Sequence, residues 1–293
     1  MPDLFNLFFE PLGYAFMMRG LIAALIVGIV CAVVGAYIVL RGMALFGNAM
    51  AHAILPGVAV SYLLGGSNQS WLFLGGLAAG VLTAVGIGTI SKGGVKEDTA
   101  VGVIFTGMFA LGIALISTVR SYTVDLTHFL FGDVLGVSNS DLWLISVFGG
   151  LVILTILAFY KEFLVLSFDP MLAKTLRLPA TLLNYLLLLL IAITIVLSLQ
   201  TVGIALMSAM LVTPAASAYL LTKRLPVMIT LGAAIGAASG VMGLYLSFYV
   251  NVASGPAIVL VCTIFFLLAF VISPHKGVIL SRMRIRPSGA AIS

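Results

Sequence analysis

The sequence predicts an all-α integral membrane protein with about nine transmembrane helices, within a range of eight to ten. Of its 293 residues, 62% are hydrophobic and only 8% are charged, whereas a soluble domain carries roughly a quarter charged residues. The mean hydropathy of +1.26 agrees with this class. The apolar runs are continuous rather than alternating, which favours helices over an outer-membrane barrel. We therefore interpret residues 1–293 as one transmembrane domain.

The gaps between charged residues set the number of helices, because one crossing needs about 20 residues. Single passes fit Gly20–Leu40, Thr99–Val119 and Leu142–Tyr160. Three longer uncharged stretches hold two passes each. Turn-forming residues divide them at Gly65–Ser70, Ser198–Thr201 and Asn251–Pro256.

Small residues recur on single helical faces at Gly76–Gly80 and Gly232–Gly240. Such faces let helix backbones approach closely in a membrane. The sequence favours packing within one chain, and packing across a dimer is the alternative.

The basic residues predict the orientation of the chain, because cytoplasmic loops carry an excess of Lys and Arg. With Lys92 and Lys96 on the cytoplasmic side, twelve basic residues lie inside, and only Arg19 and Arg120 lie outside. The N-terminus is then external and the C-terminus cytoplasmic. The basic tail, 275–293, is interpreted as contacting anionic membrane lipids rather than nucleic acid.

His52, in the segment FGNAMAHAILPG, is the main candidate for a functional residue. It lies eleven residues beyond Arg41, or roughly 16 Å along a helix, near the middle of a hydrocarbon core about 30 Å thick. Asn48 lies one turn earlier on the same face, and Pro56 predicts a kink one turn later. An ionisable group at this depth is by default a functional candidate, and imidazole is a common metal ligand.

Two ligands from one helix do not complete a metal shell. A two-fold dimer would bring four such groups to its axis. The alternative is a buried histidine that bonds a neighbouring hydroxyl or carbonyl group.

A second polar cluster lies in the predicted external loop, where Asp125, His128 and Asp133 would attract cations to a pore mouth. The alternative is a solvated loop or a docking surface for an external partner.

The internal loop at 161–179 contains a predicted amphipathic helix. Asp169 is a suitable N-cap, Pro170 suits the first helical position, and Pro179 is expected to end the helix. Lys174 and Arg177 form its polar side, opposite four apolar residues: Met171, Leu172, Leu176 and Leu178. A two-turn helix of this kind suits a groove on a partner protein, and a plain interfacial helix is the alternative.

Catalytic motifs are lacking. The sequence contains no P-loop, no HExxH and no GxSxG pattern, so we predict no catalytic residue. Any ATP hydrolysis that drives this protein would belong to a separate polypeptide.

Long segments of the chain resemble the permease subunit of the ABC importers for manganese, zinc or iron. They run in order: VLRGMALFGNAMAHAILPGVA, KEDTAVGVIFTGMFALGIALIS, HFLFGDVLGVS, FDPMLAKTLRLP and VGIALMSAMLVTPAASAYLLT. The resemblance implies an architecture similar to that of the vitamin B12-type importers. It also implies a bacterial plasma (inner) membrane location, a second copy of the chain, a cytoplasmic ATPase dimer and an external metal-binding protein.

By this resemblance, His52 looks like the pathway histidine of the family, and 169–179 looks like the helix that couples the permease to its ATPase. The family usually has aspartate one turn before the histidine, where this sequence has Asn48. An amide oxygen still coordinates a hard cation but brings no negative charge.

The resulting expectation is a permease that moves a divalent metal inward by alternating access. Manganese or zinc is expected first and iron next, with no covalently bound cofactor. A stand-alone channel or secondary transporter is the alternative. That class would be expected to carry intramembrane Asp or Glu, which the predicted spans lack.

Overall fold

The computed structural model describes residues 9–65, 69–118 and 134–273. These residues form eleven α-helices and two 3-10 turns, Pro11–Gly13 and Val134–Gly136, with no strand among them. The helices are α1 (Ala15–Leu40), α2 (Phe46–Ala53), α3 (Leu55–Gly65), α4 (Gln69–Lys92), α5 (Glu97–Ser117), α6 (Asn139–Ala158), α7 (Tyr160–Phe168), α8 (Pro170–Thr175), α9 (Ala180–Leu221), α10 (Leu225–Val250) and α11 (Ser254–Ile272).

Helix α1 lies at the centre of the bundle, where it packs against both α9 and α10. Glycines permit the closest approaches. A Cβ atom on Gly28 would lie 2.8 Å from the backbone of Gly236, and one on Gly35 only 1.8 Å from the carbonyl oxygen of Leu211. The small-residue face that contains Gly236 therefore packs within the chain, as favoured from the sequence.

The second small-residue face also packs internally. Cβ atoms on Gly76 and Gly80 would lie within 4 Å of Ile54 and Val196. Helix α4 thus fits between the α2–α3 segment and α9.

Helix α9 consists of two arms that meet at Gly203. This residue has φ 78° and ψ 170°, a conformation that essentially only glycine adopts. Asn184 on the first arm bonds Arg41 at the end of α1, and Leu211 on the second arm meets Gly35, less than two turns away on α1. A straight helix would separate Asn184 from Leu211 by about 40 Å, so the chain reverses at Gly203.

Eight helices in the described ranges are long and apolar enough to cross a membrane. Helices α2 and α3 together form one of them, at Phe46–Gly65. Counting the two arms of α9 separately gives nine passes, in agreement with the predicted number. The predicted interruption at Ser198–Thr201 is slightly misplaced, because those residues remain helical.

The segment 161–179 has more structure than predicted. Most of its first half belongs to α7, which buries Phe163 and Leu166. The predicted amphipathic helix is present as α8, but it ends at Thr175, and the prediction that Pro179 ends it is wrong. Arg177 has a positive φ of 55°, and Pro179 instead precedes α9 as its N-cap.

Candidate functional site

Helix α2 presents His52 and Asn48 on its outer face. Its opposite face is buried through Gly47, Met50 and Ala51. A Cβ atom on Gly47 would lie 2.5 Å from the Leu211 side chain, so α2 is pressed against the second arm of α9. This packing fixes the rotation of α2 and leaves Asn48 exposed and His52 partly buried.

An aromatic wall from α5 stands beside His52. The imidazole ring lies 5.4 Å from the ring of Phe109, in an edge-to-face arrangement, and 6.2 Å from the ring of Phe105. The two phenylalanines stack on each other, with their centroids 5.7 Å apart. Edge-to-face geometry at this distance is a favourable aromatic contact. The wall covers one side of the imidazole, and Asn48, one turn earlier on α2, is exposed.

The aromatic wall also fixes the depth of His52. Phe105 and Phe109 lie eight and twelve residues into α5, which begins at Glu97, or roughly 12 and 18 Å along the helix. His52 thus lies level with the middle of α5. The sequence-based depth assumed one unbroken helix from Arg41 to His52, and that assumption is wrong, because residues 41–45 lie outside the helices and α2 begins only at Phe46.

The pass that carries His52 is interrupted just beyond it. Helix α2 ends at Ala53, and α3 begins at Leu55, with Ile54 between them in a turn. Pro56 lies in the first turn of α3, where a missing backbone N–H costs little. A Cβ atom on Gly112 would lie 2.8 Å from Leu55 and 3.1 Å from the Pro56 nitrogen. Helix α5 therefore packs directly against the interruption.

The metal-binding potential of a single chain is limited. No group of three or more His, Cys, Asp or Glu residues comes together among the described residues. His52 and Asn48 can supply one nitrogen and one amide oxygen, which is fewer donors than a closed metal site needs. Their position on an open face suits a site that a second chain would complete.

Helix α8 begins as the sequence predicted. The Asp169 carboxylate accepts hydrogen bonds from the backbone N–H groups of Met171 at 2.9 Å and Leu172 at 3.0 Å, which is N-capping geometry. Pro170 occupies the first helical position, and Lys174 lies in the last turn. Met171 is 72% exposed and Leu176 is 55% exposed, so the described residues leave the apolar side of this segment uncovered.

A polar triangle that the sequence did not predict joins three helices at the Arg41 end of the bundle. The Arg41 Nη1 group donates to Asn184 Oδ1 at 2.5 Å, and Asn184 Nδ2 donates to Glu97 Oε1 at 3.2 Å. Arg41 and Glu97 also form an ion pair at 3.7 Å. Burial lowers the pKa of Arg41 from its ordinary value, and Glu97 acts in the opposite direction. Because an arginine pKa starts far above neutrality, the guanidinium stays charged.

Three predicted residues cannot be placed. Asp125, His128 and Asp133 lie outside the described residues, as does the basic tail at 275–293. The proposed external mouth therefore stays a prediction from the sequence.

Comparisons with known proteins agree with the fold. A sequence model of the ABC 3 transport family matches residues 13–273. The manganese transport system membrane protein MntC of Halalkalibacterium halodurans is 48% identical over 280 residues, which cover 95% of this chain and 94% of that protein. The chelated iron transport system membrane protein YfeD of Yersinia pestis is 37% identical over 276 residues, covering 94% and 91%.

A solved structure described as PsaBC from Streptococcus pneumoniae in complex with Fab contains a chain with a similar fold. Its TM-score is 0.81 at 40% identity, over 95% of this chain and 99% of that chain.

Proposed function

This chain belongs to the ABC 3 transport family, and we propose that it is the permease subunit of an ABC importer that carries manganese into the cell. The observation that carries the proposal is the 48% identity to a manganese permease across 95% of the chain. Iron is the second candidate, because YfeD is a chelated iron permease. Zinc, expected beside manganese from the sequence, becomes an outcome of the test.

The route we propose for the metal passes His52 and Asn48. The two side chains share a face on which, among the described residues, Asn48 is exposed and His52 is partly buried, and the Phe105–Phe109 wall shields His52 on one side. A second copy related by a two-fold axis would double the donors to four. A site with only four donors and no carboxylate should bind the metal weakly, since hard cations gain affinity from the charge of their ligands. Weak binding suits a site that the metal passes through rather than one that stores it.

The orientation we propose places the Arg41 end of the bundle in the cytoplasm. Arg41, Lys92 and Lys96 line one cavity there, of about 690 Å³. Such clustering at one end fits the cytoplasmic excess of basic residues. The same orientation places α8 in the cytoplasm.

The ATPase is proposed to dock on α8. Met171, Leu172 and Leu176 are all exposed there, and an apolar helix side of this size is suited to a partner's groove. A cavity of about 290 Å³ is lined in part by Phe168, two residues before α8, and by Tyr219 and Lys223. Replacing Met171 and Leu172 with Ala should release the ATPase during purification. Leu182→Ala, an equally apolar exposed position on α9, is the control and should retain it.

The substrate is tested by uptake of radioactive manganese into cells that express the permease with its ATPase and its external metal-binding protein. We expect uptake that needs ATP and that excess manganese suppresses at lower concentration than iron or zinc. Uptake without the ATPase would favour the alternative, a channel or secondary transporter. Stronger competition by iron or zinc would reassign the metal.

The effect of Asn48 is tested by Asn48→Asp in the purified complex. A carboxylate adds charge at the site and should tighten manganese binding. Asn251→Asp adds the same charge at an exposed position at the end of α10 and is the control. Equal manganese affinity in both variants would show that position 48 does not contact the ion.

A further inference from the structure

The polar triangle of Arg41, Glu97 and Asn184 joins helix α9, which follows the segment proposed to contact the ATPase, to the helix that shields His52. We propose that it is a latch that transmits movement of α8 and α9 to α5, and so positions the Phe105–Phe109 wall over the metal route. This inference rests on the proposed function, because it assigns a task to residues away from the metal site itself. The three residues act as positioning residues.

The first step runs from α8 to Asn184. Only four residues, 176–179, separate the end of α8 from the start of α9. That connection is tied back on itself, because the N–H of Leu178 donates to the carbonyl of Ala173 at 3.0 Å. Asn184 follows in the second turn of α9. Because this connection is short and hydrogen-bonded, a displacement of α8 should also displace the start of α9 and with it Asn184.

The second step runs from Asn184 to α5. Glu97 is the first residue of α5, and Asn184 donates to its carboxylate at 3.2 Å. Helix α5 packs on α2, α3 and α4 and shares little packing with α1 or α9 in the described part of the chain. The triangle is thus a direct polar link between α5 and the arm of α9 that follows α8, beside the indirect route through α4, which packs on both helices.

The third step runs along α5 to the metal route. Glu97 and Phe105 are eight residues apart on one uninterrupted helix, so a shift at the first residue moves both aromatic rings. The side chain of Arg41 is only 8% exposed and that of Glu97 is 27% exposed. Shielding from water strengthens the Arg41–Glu97 pair relative to a surface ion pair. The pair can therefore hold α1 and α5 together when the neighbouring helices move.

The two hydrogen bonds of the Asn184 amide are the part of the triangle that can break and re-form. It accepts from Arg41 through Oδ1 and donates to Glu97 through Nδ2. When it withdraws, Arg41 and Glu97 still neutralise each other across 3.7 Å. The triangle can therefore open at α9 without leaving an unpaired buried charge, which would be far more costly.

The test is Asn184→Ala in the complete complex, with its ATPase and external binding protein in lipid. Thr181→Ala is the matched control, because Thr181 lies one turn earlier on α9 and lines the same cavity. Three quantities are measured: ATP turnover, manganese transported per ATP, and hydrogen exchange of the α8 and α5 peptides with and without a trapped nucleotide.

We expect trapping to change hydrogen exchange in both α8 and the first half of α5 in the wild type and in Thr181→Ala. In Asn184→Ala only α8 should respond, and manganese transported per ATP should fall roughly tenfold, a typical size for coupling between sites. A persistent α5 response, or a transport ratio equal to that of Thr181→Ala, would overturn the latch.

A second variant tests the same link in case Asn184→Ala prevents the complex from folding. Glu97→Gln keeps an oxygen for the Asn184 amide but removes the charge that faces Arg41, and it should reduce the transport ratio in the same direction. Asp98→Asn, one residue along α5, is its control and should leave the ratio unchanged. Equal ratios in these two variants would also overturn the latch. Failure of wild-type uptake itself would instead reject the proposed function.

Discussion

Gly35→Ala should destabilise the bundle strongly, because α1 and α9 touch through backbone atoms at that residue. A Cβ atom there would lie 1.8 Å from the carbonyl oxygen of Leu211, whereas real Cβ contacts are essentially never shorter than 3.0 Å. The two helices must therefore separate locally by at least about 1.2 Å, the difference between these two distances. The obstacle is the backbone carbonyl group of Leu211, which cannot rotate away as the end of a flexible side chain can.

The expected cost follows from this clash. Overpacking a well-packed interior costs about 1–3 kcal/mol, and a backbone obstacle places Gly35→Ala near the upper end. Each kcal/mol lowers a melting temperature by roughly 2–4 °C in chains of 150–250 residues. We expect a loss on the order of 5–10 °C by the same scaling.

The assay is thermal unfolding of the purified permease in detergent, followed by the fluorescence of Trp71 and Trp143 at one fixed scan rate. Gly150→Ala is the matched control, because it is also a mid-helix glycine but has nothing within 4 Å of its added Cβ. Alanine is the better helix former by up to about 1 kcal/mol, so the control should melt at or above the wild type. Equal melting of the two variants would refute the close packing of α1 against α9.

Substitutions elsewhere in the bundle test other parts of the fold by the same assay. Gly203→Ala should cost about 1–3 kcal/mol, because φ 78° with ψ 170° is unfavourable for any residue with a Cβ; wild-type stability would argue against the reversal of α9. Tyr37→Phe should be neutral or stabilising, because the Tyr37 hydroxyl is buried and has no hydrogen-bond partner among the residues that the structure describes, and a loss above about 1 kcal/mol would reveal a missed partner. Ser138→Ala should cost about 1 kcal/mol, because Ser138 and Asp141 form a capping box at the start of α6; an unchanged melting temperature would show that this cap contributes nothing.

Local patterns in the sequence predicted local features well. The four-residue spacing of Asn48 and His52 predicted a shared helical face, and the Asp169–Pro170 pair predicted the start of α8. Both features depend on residues within one turn of each other. The number of passes also followed, because it depends only on the length of apolar runs.

The reversal in α9 was misplaced because polar residues near it form hydrogen bonds within α9 or with α1, and so do not interrupt the helix. The Thr201 hydroxyl donates to the carbonyl of Leu197 at 3.1 Å, and Ser198 lies 3.2 Å from the Cys31 sulfur. A cluster of Ser, Gln and Thr therefore did not mark a turn. The signal that was available is Gly203 itself, two residues further on.

Contacts between segments that are distant in the chain could not be predicted from the sequence. Phe105 and Phe109 look like ordinary membrane-facing residues until α5 is placed beside α2. Arg41 and Glu97 each stand next to a predicted span on the same side of the membrane, but we did not predict from this that they form a pair. Asn184 lies 87 residues from Glu97, and nothing local indicated that it joins them.

The central claim is that the transported metal passes His52, and the direct measurement is manganese uptake by His52→Ala in proteoliposomes that contain the complete complex. The account predicts that uptake falls by more than about tenfold, as for loss of a metal-site residue, while the complex assembles and hydrolyses ATP at the wild-type rate. Uptake equal to the wild type, with equal ATP turnover, would contradict the account and place the metal route elsewhere in the bundle.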